Sequence, residues 1–230
     1  MVIHSWNILV ILLVALIGYL LGNIQTSLIV SKLMFSDDVR RYGSGNAGST
    51  NMTRVFGLPY GLLTFAGDGA KALAAFFAGR LLGGALGLNV EDAALATAIG
   101  GYIGGVGAVY GHCYPVFYHF RGGKGAACCF ALCWCFCWQA AIISAIIFGT
   151  IFLITKRVSL MSVAGSILFA FFTCICCIIG WAHWYALWYT LAAIAVVILR
   201  HKDNIKRLIK GEESTLNLKG TPLYEQNKDE

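Results

Sequence analysis

Apolar runs near 20 residues long recur along all 230 residues of this chain, at roughly 7–33, 59–82, 93–110, 126–137, 138–155, 160–180 and 182–200. A bilayer core about 30 Å thick asks for about 20 apolar residues per helix, and in lipid every backbone polar group must be satisfied within the helix. The chain is therefore expected to be all-α and to cross a membrane several times. Only 12% of its residues are charged, against about a quarter in a soluble domain. The polar stretches are too short for a second soluble domain. A single membrane domain over 1–230 is expected, with 201–230 as a polar C-terminal segment.

The positions of the charges predict the topology. Fifteen of the 17 basic residues fall in four segments. These hold Lys32, Arg40, Arg41 and Arg54; Arg121 and Lys124; Lys156 and Arg157; and seven cations from Arg200 to Lys228. Positively charged loops face the cytoplasm. If 126–155 is one span, Lys124 and Lys156 end on opposite sides. If it is two short helices, all four segments share one side. The second arrangement predicts seven transmembrane helices, an N-terminus outside and a cytoplasmic C-terminus. Residues 1–6, the Glu91–Asp92 pair and the Trp181–Trp184 turn would lie on the other side. Glycines at 100/104, 101/105 and 107/111 have the small-xxx-small spacing that lets helices approach closely in lipid. The nine cysteines lie among apolar residues and read as small packing side chains; no metal cluster is visible.

Three polar runs carry the chemistry. GSGNAG at 43–48 matches G-x-G-x-x-G, but no strand precedes it and no βαβ unit exists around it, so a dinucleotide fold is excluded. Its glycines still allow backbone N–H groups to converge on an anion, and Ser44, Asn46, Ser49, Thr50 and Asn51 add neutral donors. Arg54 adds a fork suited to phosphate. In GHCYPVFYHFRGGKGAA at 111–127, three glycines surround Lys124 where a helix begins, a natural anion site. In RHKDNIKRLIKGEE at 200–213, Arg200, His201, Asn204 and Arg207 are spaced to share a helical face. Asp68 and Lys71, three apart inside an apolar run, are either functional or a structural ion pair. Ser159 and Ser162 open a span beside Lys156 and Arg157.

These three runs, with DGAK at 68–71 and the serines near 159, resemble the signature motifs of the PlsY-type acyl-phosphate:glycerol-3-phosphate acyltransferases, in order and over essentially the whole chain. The chain departs from the common pattern in GNIQT at 22–26, at Ser49 and in AACC at 126–129. The resemblance implies a seven-helix bacterial cell-membrane enzyme of phospholipid synthesis. Such an enzyme moves a fatty acyl group from acyl phosphate to the sn-1 hydroxyl of glycerol 3-phosphate, giving lysophosphatidic acid and phosphate. It implies Ser44, Asn51, His201 and Asn204 as catalytic residues. It implies Thr50, Arg54, His112, Lys124 and Ser159 in substrate or phosphate binding, and the glycine runs themselves add Gly45, Gly48, Gly123 and Gly125 as backbone anion cradles. No cofactor, metal or nucleic acid is expected; the partners are the two substrates and membrane lipid, and the enzyme is expected to be a monomer.

An acyl phosphate is already activated, so the site needs mainly to position two phosphates and stabilise developing oxyanion charge. The base is either His201 or a substrate phosphate. None of the five histidines has an aspartate five residues later, which disfavours the His-x-x-x-x-Asp acyltransferases. A transporter or anion channel would spread polar groups through the membrane midplane, often in repeated halves, and no repeat is visible.

Overall fold

The computed structural model describes residues 5–86, 92–218 and 221–226, and among these all regular structure is helical. Of the stretches expected on the outer side, residues 1–4 and Glu91 lie outside the described residues, as do Lys219 and Lys228 in the C-terminal segment. Helix α1 is Ser5–Gly22 and α2 is Thr26–Phe35. They form one apolar run broken at Asn23–Gln25, where the Asn23 side chain donates to the Tyr19 carbonyl at 2.7 Å. A short helix α3, Ser49–Phe56, leads through Gly57 into the long α4, Leu58–Ala85, which has a proline in its first turn. Helix α5, Ala93–Cys113, starts at Asp92, whose carboxylate accepts from the Ala94 N–H at 2.8 Å.

Residues 126–155 form two helices, α6, Ala126–Phe136, and α7, Trp138–Thr155, separated by an extended Cys137. Left-handed Lys156 then turns the chain into α8, Val158–Ile178. Helices α9, Trp184–Arg200, and α10, Lys202–Ile209, meet at a bend of 64°. A last turn, α11, covers Leu223–Gln226. By length and apolarity four helices can cross a membrane, or five if the bent α9–α10 pair counts as one. Helix α4 is long enough but carries Asp68, Lys71 and Arg80, and the 11 residues of α6 rise only ~16 Å.

Backbone contact holds α5 between α1 and α4. A Cβ added at Gly100 would strike the Gly79 carbonyl, at Gly104 the Ala75 carbonyl, and at Gly111 the Tyr19 carbonyl. The 100/104 and 107/111 pairs thus act as the sequence suggests. The 101/105 pair instead receives side chains, Phe76 and Arg80 at Gly101 and Leu132 at Gly105. The cysteines are free thiols, and most are buried. Around α5 the main core adds Phe76, Leu132, Phe136, Phe169 and Ile194 with Cys113, Cys128, Cys129, Cys137 and Cys176.

Gly104→Val forces α5 off α4, where an added Cβ meets the Ala75 carbonyl, and overpacking of this kind costs about 1–3 kcal/mol. Gly149, which has nothing within 4 Å of an added Cβ, tolerates the same change. The thermal midpoint in detergent is expected to fall for Gly104→Val and to hold for Gly149→Val. Equal midpoints would show that the glycine contacts do not organise the bundle.

Candidate active site

The glycine run lies between α2 and α3 and is shaped from beneath by Asn51. Its Oδ1 accepts the Ser44 N–H at 2.9 Å, and its Nδ2 donates to the Val39 and Tyr42 carbonyls at 3.1 Å each. Asn51 is 1% exposed, so its amide is committed to holding the loop. Gly45 adopts φ +68°, a left-handed conformation that costs a larger residue steric strain. Ala47 is buried and plugs the loop into a small core with Val39, Met52 and Val55. Gly48 is the N-cap of α3 and brings no capping side chain, which leaves the leading N–H groups of the helix for a ligand or solvent.

In the second run the chain folds back on the end of α5. The Gly123 N–H donates to the His112 carbonyl at 3.1 Å, and a Cβ at Gly123 would collide with the His112 ring. This close approach, rather than ligand contact, explains that glycine. Gly125 starts α6 at φ +83°. Arg200 clamps the same loop, donating from Nε to the Gly123 carbonyl at 3.2 Å and from Nη2 to the Gly122 carbonyl at 3.0 Å. Behind it, Lys71 Nζ lies 2.9 Å from both Asp68 Oδ1 and His112 Nδ1, and it also donates to the Ile24 carbonyl in the α1–α2 break. The Asp68–Lys71 pair therefore joins three helices under the Lys124 loop.

The bend at His201 divides the third run, so its residues do not share one continuous face as their spacing suggests. His201 Nδ1 lies 2.8 Å from the Val197 carbonyl. A carbonyl only accepts, so Nδ1 carries the proton, and a neutral ring keeps its lone pair on Nε2. Asn204 accepts from Lys124 Nζ and donates to Glu213 Oε1 at 2.6 Å. Glu213 also accepts from Ser159 Oγ at 2.8 Å and from Arg207 Nε at 2.8 Å. Arg54 Nη2 donates to Ser214 Oγ at 3.1 Å.

The three runs border one open cavity of about 1360 Å³. Of the candidate residues, Ser44, Gly45, Gly48, Thr50, Asn51, Arg54, His112, Lys124, Gly125, Ser159, His201 and Asn204 line it, and Gly123 packs behind His112. Arg200 and Glu213 line it too. The sequence placed Arg200 on the face of the third run without a specific role and passed over Glu213, although an acid closing a basic run, GEE at 211–213, was a visible signal. Among the described residues no cluster of His, Cys, Asp and Glu could hold a metal ion.

Burial pushes the Lys124 ammonium down to about 8; Glu213 opposes this shift, while Arg207, Arg200 and Arg54 reinforce it. Burial works against ionising Glu213, but hydrogen bonds from Asn204, Ser159 and Arg207, with the charge on Arg207, hold its carboxyl below the usual range.

The fold and cavity define a polytopic helical membrane protein with a pocket, its charged lining mainly cationic, at the ends of its helices. The family model for glycerol-3-phosphate acyltransferase matches residues 12–211. A glycerol-3-phosphate acyltransferase of Finegoldia magna is 37% identical over 210 residues, covering 91% of this chain and 98% of that protein. One from Clostridioides difficile is 36% identical, with 90% and 96% covered. Crystal structures of PlsY (YgiH), an integral membrane glycerol 3-phosphate acyltransferase, superpose with TM-scores of 0.75 for its glycerol 3-phosphate form and 0.73 for its lysophosphatidic acid form. They are 31% and 30% identical and cover 90% of this chain and 96% of theirs. The chain belongs to the glycerol-3-phosphate acyltransferase family, integral membrane enzymes of phospholipid synthesis.

Lys124 is cationic below about pH 8 and loses its charge as the pH rises through that value. Then kcat/KM is expected to fall above pH 8, because that ratio reports ionisations of the free enzyme. In Lys124→Arg, whose guanidinium stays protonated, the fall disappears. The same alkaline limb in both enzymes would remove Lys124 as its source.

Proposed function

We propose that the chain transfers a fatty acyl group from acyl phosphate to the sn-1 hydroxyl of glycerol 3-phosphate. The observation that carries this reading is the convergence of all three polar runs on one cavity with eight basic and four acidic side chains in its lining. Glycerol 3-phosphate as acceptor is supported by the solved relative in its glycerol 3-phosphate form. The hydroxyl oxygen attacks the acyl carbon, the bond from that carbon to the phosphate oxygen breaks, and phosphate leaves. Arg54 and Lys124 offset the charge of two neighbouring phosphates, and the N–H groups near Gly45 and Gly48 serve the same end. The hydroxyl proton passes to His201 Nε2 or to a substrate phosphate. Asn51 acts as a positioning residue for the Ser44 loop. Asn204 orients Lys124, while Ser159 and Glu213 orient Asn204.

The acyl chain has an apolar route. A second cavity of about 40 Å³ shares Ala126, Phe148 and Ser162 with the first. It is lined by Ala126, Cys129, Phe130, Cys133 and Trp134 of α6, Ala141, Ser144, Ala145 and Phe148 of α7, and Ser162, Gly165, Ser166 and Phe169 of α8. Each set repeats at three and four residues and so forms one face of its helix. Its lining mixes small side chains with the rings of Phe130, Trp134, Phe148 and Phe169.

In the same reading the chain is one membrane domain over 1–230 with seven spans, the α1–α2 pair counting as one. Its N-terminus is outside, and the cavity and residues 201–230 face the cytoplasm. The grouping of basic residues at the cavity supports this orientation. A single chain supplies every group in the proposed site, which supports the reading of a monomer.

Purified enzyme is expected to release phosphate from palmitoyl phosphate only when glycerol 3-phosphate is present, and to leave palmitoyl-CoA intact. Arg54→Ala and Lys124→Ala should each lose at least ~10²-fold in kcat/KM. Near-normal activity in both would end the assignment. Cys133→Trp fills the apolar groove and should shift the kcat/KM ratio of palmitoyl to octanoyl phosphate at least ~10-fold toward the shorter donor. An unchanged ratio places the acyl chain elsewhere.

A further inference from the structure

The family match ends at residue 211. The residues that follow return to the site. Glu213 and Ser214 meet Ser159 and Arg54, and the Leu216 N–H donates to the Lys156 carbonyl at 2.8 Å. Leu216 is buried and lines the cavity. Further on, α11 docks on the small core beneath the glycine loop, a cluster separate from the main helix core.

Tyr224 is the centre of that docking. Its ring lies 5.0 Å from Phe56, 5.3 Å from Phe35 and 6.1 Å from Tyr42. Phe35 ends α2, Tyr42 immediately precedes Gly43, and Phe56 ends the helix that carries Arg54. Phe35 also stacks on Phe56 at 4.1 Å. Offset and edge-on aromatic contacts of this kind fix ring orientation beyond simple area burial. One tyrosine therefore touches the entrance of the glycine loop and both helices that frame it. Helix α3 has only eight residues, too few to be stable alone. Its position depends on what it packs against.

We propose that Tyr224 is a positioning residue for the phosphate site: through Tyr42 and Phe56 it sets where Arg54 and the 43–48 loop stand. This rests on the acyltransferase reading above, and both phosphate substrates present the chemistry that Arg54 would hold. KM and kcat are measured separately for glycerol 3-phosphate and for palmitoyl phosphate with the full chain in nanodiscs. Tyr224→Ala is expected to raise KM at least fivefold for one of the two, which identifies whose phosphate Arg54 holds. Its kcat stays within twofold and its thermal midpoint stays close to wild type. Tyr224→Phe keeps the ring, gives up the long 3.4 Å hydrogen bond from the hydroxyl to the Phe35 carbonyl, and is expected to restore KM to within twofold. In an Arg54→Lys background Tyr224→Ala adds less than a further twofold, because coupled residues are not additive. An unchanged KM, a joint loss of kcat and thermal stability, or full additivity with Arg54→Lys each overturns the proposal. Wild-type turnover, read in the same assay, reports separately on the acyltransferase reading.

Discussion

Asp68 is the only acidic side chain within the described apolar helices, and the geometry of the site is built outward from it. Its carboxylate sits 2.9 Å from Lys71, accepts from Thr26 at 3.1 Å and lies 3.6 Å from the His112 ring. Lys71 reaches on to the Ile24 carbonyl, which the break between α1 and α2 leaves without a helical partner. A lone charge here would be expensive, and removing one partner of such a pair typically costs about 3–5 kcal/mol. The pair therefore fixes the relative heights of α1, α4 and α5. Those helices are already pressed together by glycine contacts, so little slack remains. His112, held by this cluster, is the surface on which Gly122 and Gly123 lie. The rigidity of the membrane core thus passes directly to the loop that presents Lys124.

The three motifs were legible because each contains residues that a plain polar loop has no use for, such as glycines around a lysine or an asparagine in a basic helix. What the sequence hid was division of labour. Asn51 and Thr50 are adjacent and chemically similar. Yet Asn51 spends its whole amide on backbone seven to twelve residues away, a contact that exists only after the loop has folded. Arg200 reads as a positive-inside anchor at the end of a span. Its guanidinium instead binds carbonyls 77 and 78 residues earlier in the chain. The continuous helical face expected from Arg200 to Arg207 failed because periodicity assumes an unbroken axis, and the chain bends at His201. The two-helix reading of 126–155 succeeded because charge on both sides of that stretch constrained it from outside.

Hydropathy has a matching blind spot. Helix α4 fails as an apolar span because of Asp68, Lys71 and Arg80, although the first two cancel each other inside the protein. Helix α6 is too short, yet one of its faces lines the apolar groove. Both helices depart from the simple pattern where they line the two cavities.

A carboxylate in a pocket whose charged lining is mainly cationic looks out of place. Glu213 resolves this through its partners. Arg207 balances its charge, and both oxygens are occupied by donors from Ser159, Asn204 and Arg207. With its Nδ2 held by Glu213, Asn204 must turn Oδ1 toward Lys124. The acid therefore acts as an orienting group: it fixes which way an amide points, and the amide aims the cation. It also ties α8 to α10 through Ser159, Asn204 and Arg207. Its suppressed protonation follows from the same three donors, and so the arrangement persists at neutral pH, where Lys124 still carries its charge. In the proposed reaction two repelling phosphates need cations already in place, because reorganising them during the reaction would add to the barrier. Glu213 is what keeps them there.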